Sequence, residues 1–185
     1  IHHNGVVNDY SCHNCYTEAN GIVYQYNHIG PVIPGSYGDA IKDRSAGTVI
    51  RYNYFESGPA DCIDLIEGQS DYPYIQSLPN YDKTWVYGNT FYNGPTGASW
   101  MVCYGGMDSN YAAFRRGTLC FYNSTVINQQ DKSGPGGRWL NSLFFYPAKW
   151  LTGVDCTERI DFRNNIVHTT SATPGAVPAD FSLVN

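Results

Sequence analysis

The sequence has few of the features that mark membrane-spanning or nucleic-acid-binding proteins. No apolar run approaches the ~18 residues of a transmembrane helix, and only 2 of the 185 residues are methionine. Charged residues make up 15% of the chain, and 16 acidic against 11 basic side chains give a net charge of -5. This balance provides no basic surface for a phosphate backbone. The composition therefore predicts neither a membrane span nor a nucleic-acid partner.

Sustained amphipathic helices are also missing, because no window repeats apolar residues every ~3.6 positions between capping residues. Glycine (19 residues) and tyrosine (16 residues) are abundant instead. The length of the chain favours one domain over two. We therefore expect a single helix-poor domain that covers residues 1–185.

Cysteine use indicates the compartment in which the chain folds. Six cysteines are too few for a disulfide-built miniprotein, yet more than a reducing compartment usually leaves unpaired. They predict a secreted, extracellular or periplasmic protein. Cys12 and Cys15 have a spacing that suits zinc or a redox pair, but no second pair shares it. A disulfide or buried thiols are favoured, because structural zinc needs four clustered ligands.

One pattern recurs five times: an apolar residue (the β-branched Thr in two copies), any residue, an apolar residue, two residues, Asn or Ser, any residue and an apolar residue. The copies are Ile22-Tyr24-Asn27-Ile29, Thr48-Ile50-Asn53-Phe55, Thr84-Val86-Asn89-Phe91, Leu119-Phe121-Ser124-Val126 and Ile160-Phe162-Asn165-Val167. Apolar residues with a period of two predict a strand, and Asn predicts a tight corner because it adopts the left-handed conformation and bonds nearby backbone. The intervals between the Asn or Ser residues of successive copies are too irregular for a helical repeat. We therefore expect each copy to contain the same strands, joined by loops of different length.

Further short strands are predicted between the copies, at Asp39 to Asp43, Cys62 to Ile66, Trp100 to Tyr104 and Ser142 to Tyr146. The economical architecture is all-β: a right-handed single-stranded parallel β-helix (solenoid) of about five to six coils with little or no helix. We expect the five Asn or Ser residues to stack at one corner. An antiparallel sandwich is the competing fold, but it needs hairpin turns every ~8–12 residues.

Several segments resemble bacterial right-handed β-helix repeat proteins of the pectate-lyase-like superfamily. They are the segment from Gly38 to Asn53, the segment from Val86 to Phe91 with Gly94-Pro95, Tyr104-Gly105-Gly106 and the segment from Asn164 to Val167. The resemblance covers roughly residues 10–170. It implies a parallel β-helix that is part of a longer protein. The superfamily contains lyases, glycoside hydrolases, epimerases and non-catalytic fibres, so the resemblance is less specific for a reaction.

Lys42, Arg44 and Arg51 are the candidate catalytic residues. With Ile41 inward, Lys42 and Arg44 share the outer face of one strand. Aligning Ile63 over Ile41 puts a carboxylate, Asp64, beside Lys42. In a polysaccharide lyase a base removes the proton α to a uronate carboxylate, a cation neutralises that carboxylate and an acid assists the leaving oxygen. Lys42 is the predicted base and Arg44 or Arg51 the neutraliser or acid, unless Lys42 and Asp64 form an ordinary surface ion pair.

Carboxylates concentrate in the same region and predict a Ca²⁺ site, since Ca²⁺ prefers oxygen ligands. The candidate ligands are Asp39, Asp43, Asp61, Asp64 and Glu67. Asp39 and Asp43 flank the inward Ile41, so they are alternatively strand-end caps. Asp61 and Asp64 are also the best pair for glycoside hydrolysis, which is the weaker enzymatic hypothesis.

Two long segments, residues 68–83 and 131–139, exceed what a β-helix coil needs, and such loops often carry binding residues. Their candidate sugar-binding side chains are Tyr72, Tyr74, Tyr81, Arg138 and Trp139. The alternative is that these aromatic residues cover the core.

The sequence therefore predicts a secreted carbohydrate-active protein, resembling a polysaccharide lyase, that acts on or binds an anionic polysaccharide. The alternative is a non-catalytic module that binds glycan or builds an extracellular fibre or surface structure. Self-association through the coil ends is expected in either case, because each coil relies on its neighbours to bury its ends.

Overall fold

A computed structural model of the chain describes residues 1–56, 62–69, 73–95, 100–107, 111–130, 142–145, 157–171, 173–174 and 182–184. In chain order the strands are β1 (Cys15–Thr17), β2 (Val23–Gln25), β3 (His28–Ile29), β4 (Ile41–Asp43), β5 (Thr48–Arg51), β6 (Tyr54–Glu56), β7 (Ile63–Leu65), β8 (Lys83–Tyr87), β9 (Thr90–Asn93), β10 (Trp100–Tyr104), β11 (Thr118–Tyr122), β12 (Thr125–Gln129), β13 (Ser142–Phe145), β14 (Arg159–Arg163), β15 (Ile166–Thr170) and β16 (Ser182–Val184). The helical elements of the described part are two short 3₁₀ turns, Ile75–Ser77 and Tyr111–Ala113.

The strands form three parallel sheets. Sheet 1 has the order β1-β4-β7-β10-β13-β16, sheet 2 the order β2-β5-β8-β11-β14 and sheet 3 the order β3-β6-β9-β12-β15. Each strand pairs with the strand three places later in the chain, so three successive strands, here called a coil, visit all three sheets once. This all-β arrangement is compatible with a parallel β-helix. None of the described helices is long and apolar enough to cross a membrane.

The core lies between the sheets and is built from like residues stacked coil on coil. The inward residues Ile41, Ile63 and Val102 align in sheet 1. In sheet 3, Phe55 stacks on Phe91 with ring centroids 4.8 Å apart. All five side chains are fully buried. The period-two apolar pattern of the sequence therefore predicts the inward faces correctly, because a parallel register superposes equivalent residues of successive coils.

The predicted corner between sheets 2 and 3 is confirmed by a continuous ladder of hydrogen bonds. The backbone N–H of each ladder residue donates to the side-chain oxygen of the next: Asn27 to Asn53 (3.0 Å), Asn53 to Asn89 (2.9 Å), Asn89 to Ser124 (3.2 Å) and Ser124 to Asn165 (2.8 Å). Asn27 and Asn53 also donate from Nδ2 to the backbone oxygen two residues earlier, whereas Asn89 and Asn165 donate from Nδ2 to a backbone oxygen of the preceding coil.

One detail of the corner differs from the prediction. The left-handed conformation belongs to the residue before each ladder residue, and these are Tyr26, Tyr52, Gly88, Asn123 and Asn164. The ladder residue itself makes the turn by hydrogen bonding, while its predecessor supplies the positive φ angle.

The four strands predicted between the repeat copies are β4, β7, β10 and β13 of sheet 1. β4 and β7 are shorter than predicted, since β4 begins at Ile41 and β7 spans Ile63–Leu65. Strands β1 and β16 of the same sheet were not predicted, because neither is part of a recurring pattern.

Candidate functional site

The outer face of sheet 1 carries a cleft of about 400 Å³. Strand β1 contributes Tyr16, which pairs in register with Lys42 of β4. Because Ile41 points inward, both side chains project outward, and Arg44 follows on the same side. Further lining residues are Tyr10, Ser11, His13 and Gln69. The structure thus places two of the three predicted catalytic cations, Lys42 and Arg44, at one cleft.

Lys42 pairs with Asp64 as the sequence alignment predicts. The strand register sets Ile63 beside Ile41 and Asp64 beside Lys42, and Lys42 Nζ lies 3.0 Å from Asp64 Oδ2. The pair is less exposed than predicted, with 16% of the Lys42 side chain and 1% of the Asp64 side chain accessible. It is therefore not an ordinary surface ion pair.

Burial shapes the charge states of this pair. Burial, together with the nearby charge of Asp39, raises the pKa of Asp64 to about 6, although Lys42 opposes that shift. Burial also works against the Lys42 ammonium, but the attraction and hydrogen bond of Asp64 outweigh it, so the pKa of Lys42 is raised. Lys42 consequently remains protonated at neutral pH.

Arg44 is fixed at the side of the cleft. Its Nε donates a 2.8 Å hydrogen bond to the Tyr16 hydroxyl, and its Nη1 donates one of 2.6 Å to the Glu67 carbonyl. The guanidinium carbon lies 5.9 Å from the Tyr16 ring centroid, within cation–π range. Arg44 therefore holds the Tyr16 hydroxyl beside a permanent positive charge.

His13 supplies a second proton-carrying group to the cleft. Its Nδ1 accepts a 2.9 Å hydrogen bond from the Asp39 backbone N–H and lies 3.1 Å from Asp39 Oδ2. When Nδ1 is an acceptor, the proton of the neutral ring is on Nε2. The ring stacks on Tyr16 with centroids 5.7 Å apart. His13 and Tyr16 are thus oriented together.

Neither His13 nor Tyr16 was predicted as a site residue, although the sequence contains a signal for both. The first two ladder residues, Asn27 and Asn53, are separated by 26 positions. Counting 26 positions back from Lys42 gives Tyr16, its neighbour in the adjacent strand. The same interval pairs Asp39 with His13, which lies between Cys12 and Cys15 in the sequence.

Arg51 is not part of this cleft. It belongs to β5 of sheet 2, where Nε and Nη2 donate to Gln25 Oε1 and Nη1 donates to the Tyr87 hydroxyl. The chain turns a corner between Arg44 and Arg51, so the predicted grouping of Lys42, Arg44 and Arg51 in one centre requires a correction: only the first two meet.

The four predicted calcium ligands that the structure describes, Asp39, Asp43, Asp64 and Glu67, are buried and bonded to protein groups. Asp43 accepts hydrogen bonds from the Thr17 and Thr48 hydroxyls, and Glu67 Oε2 accepts one from the Met107 N–H. In the described ranges no group of three or more His, Cys, Asp or Glu side chains is arranged to hold a metal ion. Asp61 lies outside the described residues. The calcium site stays a prediction.

Of the predicted sugar-binding residues, two lie in the described part. Tyr81 is only 6% exposed, accepts a hydrogen bond from the Gly68 N–H and donates one to the Ala113 carbonyl. Its ring packs in a small apolar cluster, so it offers no face to a sugar. Tyr74 is exposed beside the turn Ile75–Ser77. Tyr72, Arg138 and Trp139 lie outside the described residues.

A buried ion pair that sequence analysis missed anchors the loops beside the cleft. Arg115 is completely buried, and its Nη2 donates to the backbone oxygen of Asp43 at 2.8 Å and to Asp43 Oδ2 at 3.2 Å. Its guanidinium carbon lies 5.9 Å from the Tyr81 ring centroid. Arg115 thus joins the loop before β11 to Asp43 at the end of β4, the residue next to Lys42.

The cysteines give no support to a zinc site in the described part, where Cys12, Cys15 and Cys120 are thiols. Burial raises the pKa of the Cys15 thiol. Cys156 lies outside the described residues.

No family model matches the chain, and no curated protein or solved structure matches it significantly. Its function must therefore be argued from the cleft itself.

Proposed function

We propose that the chain is a right-handed parallel β-helix of the pectate-lyase-like superfamily, secreted to the cell exterior or periplasm, whose sheet 1 cleft binds and cleaves an anionic polysaccharide. The observation that carries the proposal is the placement of Lys42 and Arg44 on one strand face, beside His13 and Tyr16, in an open cleft. These groups are the cations and proton carriers that a lyase needs.

The local charge favours an acidic sugar. Lys42 and Arg44 line the cleft, whereas the Asp64 carboxylate that pairs with Lys42 is buried beneath it. The described lining of the cleft contains no acidic residue, and positive side chains in a cleft attract an anion despite the negative net charge of the chain. Tyr10, stacked on Tyr37 with centroids 4.6 Å apart, adds an exposed aromatic surface for a sugar ring.

The geometry suggests a division of labour for β-elimination. Lys42 keeps its proton through its ion pair with Asp64, so it suits neutralisation of the uronate carboxylate better than the role of base that the sequence suggested. Tyr16, in its phenolate form beside the Arg44 guanidinium, is the proposed acceptor of the proton α to that carboxylate, and as the phenol so formed it returns that proton to the leaving glycosidic oxygen. His13 Nε2–H is the proposed hydrogen-bond donor to that oxygen and keeps its own proton. The products are a shortened chain and an unsaturated uronate.

The test is an assay of uronic-acid polysaccharides in which unsaturated product is followed by ultraviolet absorbance. Tyr16→Phe keeps the ring and removes only the hydroxyl, so we expect a rate loss of about 10²-fold or more. Tyr54→Phe, an exposed tyrosine of sheet 3, is the matched control and should retain activity. Failure of the parent chain to produce unsaturated sugar from any uronate polymer contradicts the catalytic proposal.

A non-catalytic glycan-binding or fibre-forming module is the second candidate. It is favoured by the protein partners of both cations, since Lys42 is paired with Asp64 and Arg44 bonds Glu67 and Tyr16. This candidate expects polysaccharide binding without unsaturated product. Self-association through the coil ends belongs to the same proposal, and light scattering over a concentration series tests it.

A further inference from the structure

The corner between sheets 2 and 3 carries an exposed row of tyrosines on a different face from the cleft. Tyr26 is 74% exposed and Tyr52 47%, and their rings stack with centroids 5.5 Å apart and planes within 15°. Tyr87 packs edge-on against Tyr52 at 5.6 Å. Three successive coils therefore build one aromatic surface. Together with Gln25 and Arg51 we call it the corner patch.

The backbone at Tyr26 and Tyr52 is unfavourable for tyrosine. Both residues have φ +56°, in the left-handed region that bulky residues rarely adopt. The equivalent positions of the next three coils hold Gly88, Asn123 and Asn164, which tolerate this conformation at low cost. Stability alone would favour Gly or Asn at all five corners. Strained residues of this kind concentrate at functional sites, so the two tyrosines call for a functional explanation.

Gly88 makes room for the tyrosine ring. A Cβ atom at Gly88 would lie 2.7 Å from Cδ1 and Cε1 of Tyr52. The absence of a side chain at Gly88 therefore allows the ring of Tyr52 to lie over the next coil. The patch depends on this glycine as well as on the tyrosines.

Arg51 gives the corner patch a fixed positive charge. Its three hydrogen bonds, of 2.9 and 2.7 Å to Gln25 and 2.9 Å to Tyr87, position the guanidinium. Both partners are neutral, and no ion pair of Arg51 with an acidic side chain occurs among the described residues. A guanidinium has five N–H donors, so two remain for a ligand. An uncompensated arginine beside exposed rings is suited to an anion with an apolar face.

We infer that the corner patch is a second binding surface for an acidic polysaccharide, separate from the cleft. The tyrosine rings contact the apolar C–H faces of the sugars, and Arg51 binds a uronate carboxylate through charge-assisted hydrogen bonds. The surface involves no bond breaking. It holds a chain on the outside of the corner whether or not the cleft cleaves.

The experiment measures binding of polygalacturonate and alginate, with dextran as the neutral polymer, by isothermal titration calorimetry and affinity electrophoresis. Tyr26 and Tyr52 are replaced together by Asn, the residue that the chain itself uses at 123 and 164. We expect the affinity for an acidic polymer to fall about tenfold or more, while the melting temperature stays constant or rises because strain is relieved. Tyr111→Ala, which removes an exposed tyrosine outside both the cleft and the corner patch, should leave the affinity unchanged.

Two further variants separate this surface from the cleft. Arg51→Gln should weaken binding of the acidic polymers and reduce its salt dependence. Lys42→Arg, with its ion pair retained, should leave binding at the corner intact. Unchanged affinity in the double Asn variant, or a melting temperature lowered without loss of binding, overturns the inference. If no polymer binds, the inference fails as well. If binding is lost only when Lys42 or Tyr16 is changed, the corner patch fails while the proposed function of the cleft stands.

Discussion

Replacement of Asp64 by Asn should change how the stability of the chain depends on pH. The ordinary pKa of an aspartate is about 4, whereas burial and Asp39 raise that of Asp64 to about 6. The folded chain therefore binds this proton more tightly than the unfolded chain. The resulting stabilisation is present below about pH 4 and is lost as the pH rises through 6.

The magnitude follows from the size of the shift. A difference of about two pKa units corresponds to about 3 kcal/mol in the free energy of unfolding. In Asp64→Asn this contribution is absent. We therefore expect the stability of the variant relative to the parent to improve by about 3 kcal/mol between pH 4 and pH 7. Lys42 stays charged throughout this range, so it does not contribute to the slope.

Urea unfolding of both proteins, measured from about pH 4 to pH 7, provides the test. Asp82→Asn is the control, because it replaces an exposed carboxylate and keeps an oxygen for the Arg116 N–H. Its stability relative to the parent should vary much less with pH. Parallel curves for the parent and Asp64→Asn would refute the assignment of a buried, proton-binding carboxylate beside Lys42.

Three other predictions concern the framework, and all use urea unfolding as the measurement. Asn89→Ala should cost about 2–4 kcal/mol, because it leaves buried N–H groups of the ladder without acceptors, whereas Asn27→Ala at the exposed end should cost less. Phe91→Ala should cost about 3–5 kcal/mol through a cavity in the aromatic stack, and equal stability to the parent would contradict its central position. Arg115→Met should lower the free energy of unfolding by about 3–5 kcal/mol, because Asp43 is left buried without its cation. An unchanged free energy of unfolding would mean that the hydroxyls of Thr17 and Thr48 stabilise the Asp43 carboxylate without Arg115.

The strands and the ladder could be predicted because they depend on local rules applied repeatedly. Alternating apolar residues select a strand, and superposition of like residues selects the register. The pairing of Lys42 with Asp64 follows from placing Ile63 beside Ile41, and the structure has this register. The burial of the pair could not be predicted, since the alternation of apolar residues along a strand does not specify what packs on its outer face.

Contacts made by the loops escaped prediction for a physical reason. Arg115 reaches Asp43 across 72 residues, from a segment that has no periodic pattern. Tyr81 belongs to a long segment expected to carry exposed sugar-binding residues, but it is buried, and its hydroxyl joins the start of that segment, at Gly68, to Ala113 of another loop. The presence of aromatic residues in a loop does not show whether their rings are buried or exposed, because the surrounding loop decides whether a ring covers a core or binds a sugar.

The interval between repeat copies contains more functional information than the motifs do. Residues one coil apart become neighbours at the strand spacing of ~4.8 Å, so a shift of 26 positions brings Tyr16 to Lys42 and His13 to Asp39. A motif search evaluates each segment alone and assigns His13 to the Cys12–Cys15 segment. In a parallel arrangement of coils, the number of positions between equivalent residues of neighbouring coils shows which residue lies beside each charged or aromatic residue. Candidate sites are found where such neighbours carry complementary chemistry. The same reasoning finds Gln25, Arg51 and Tyr87 in one row of sheet 2, which is the row that borders the strained tyrosines.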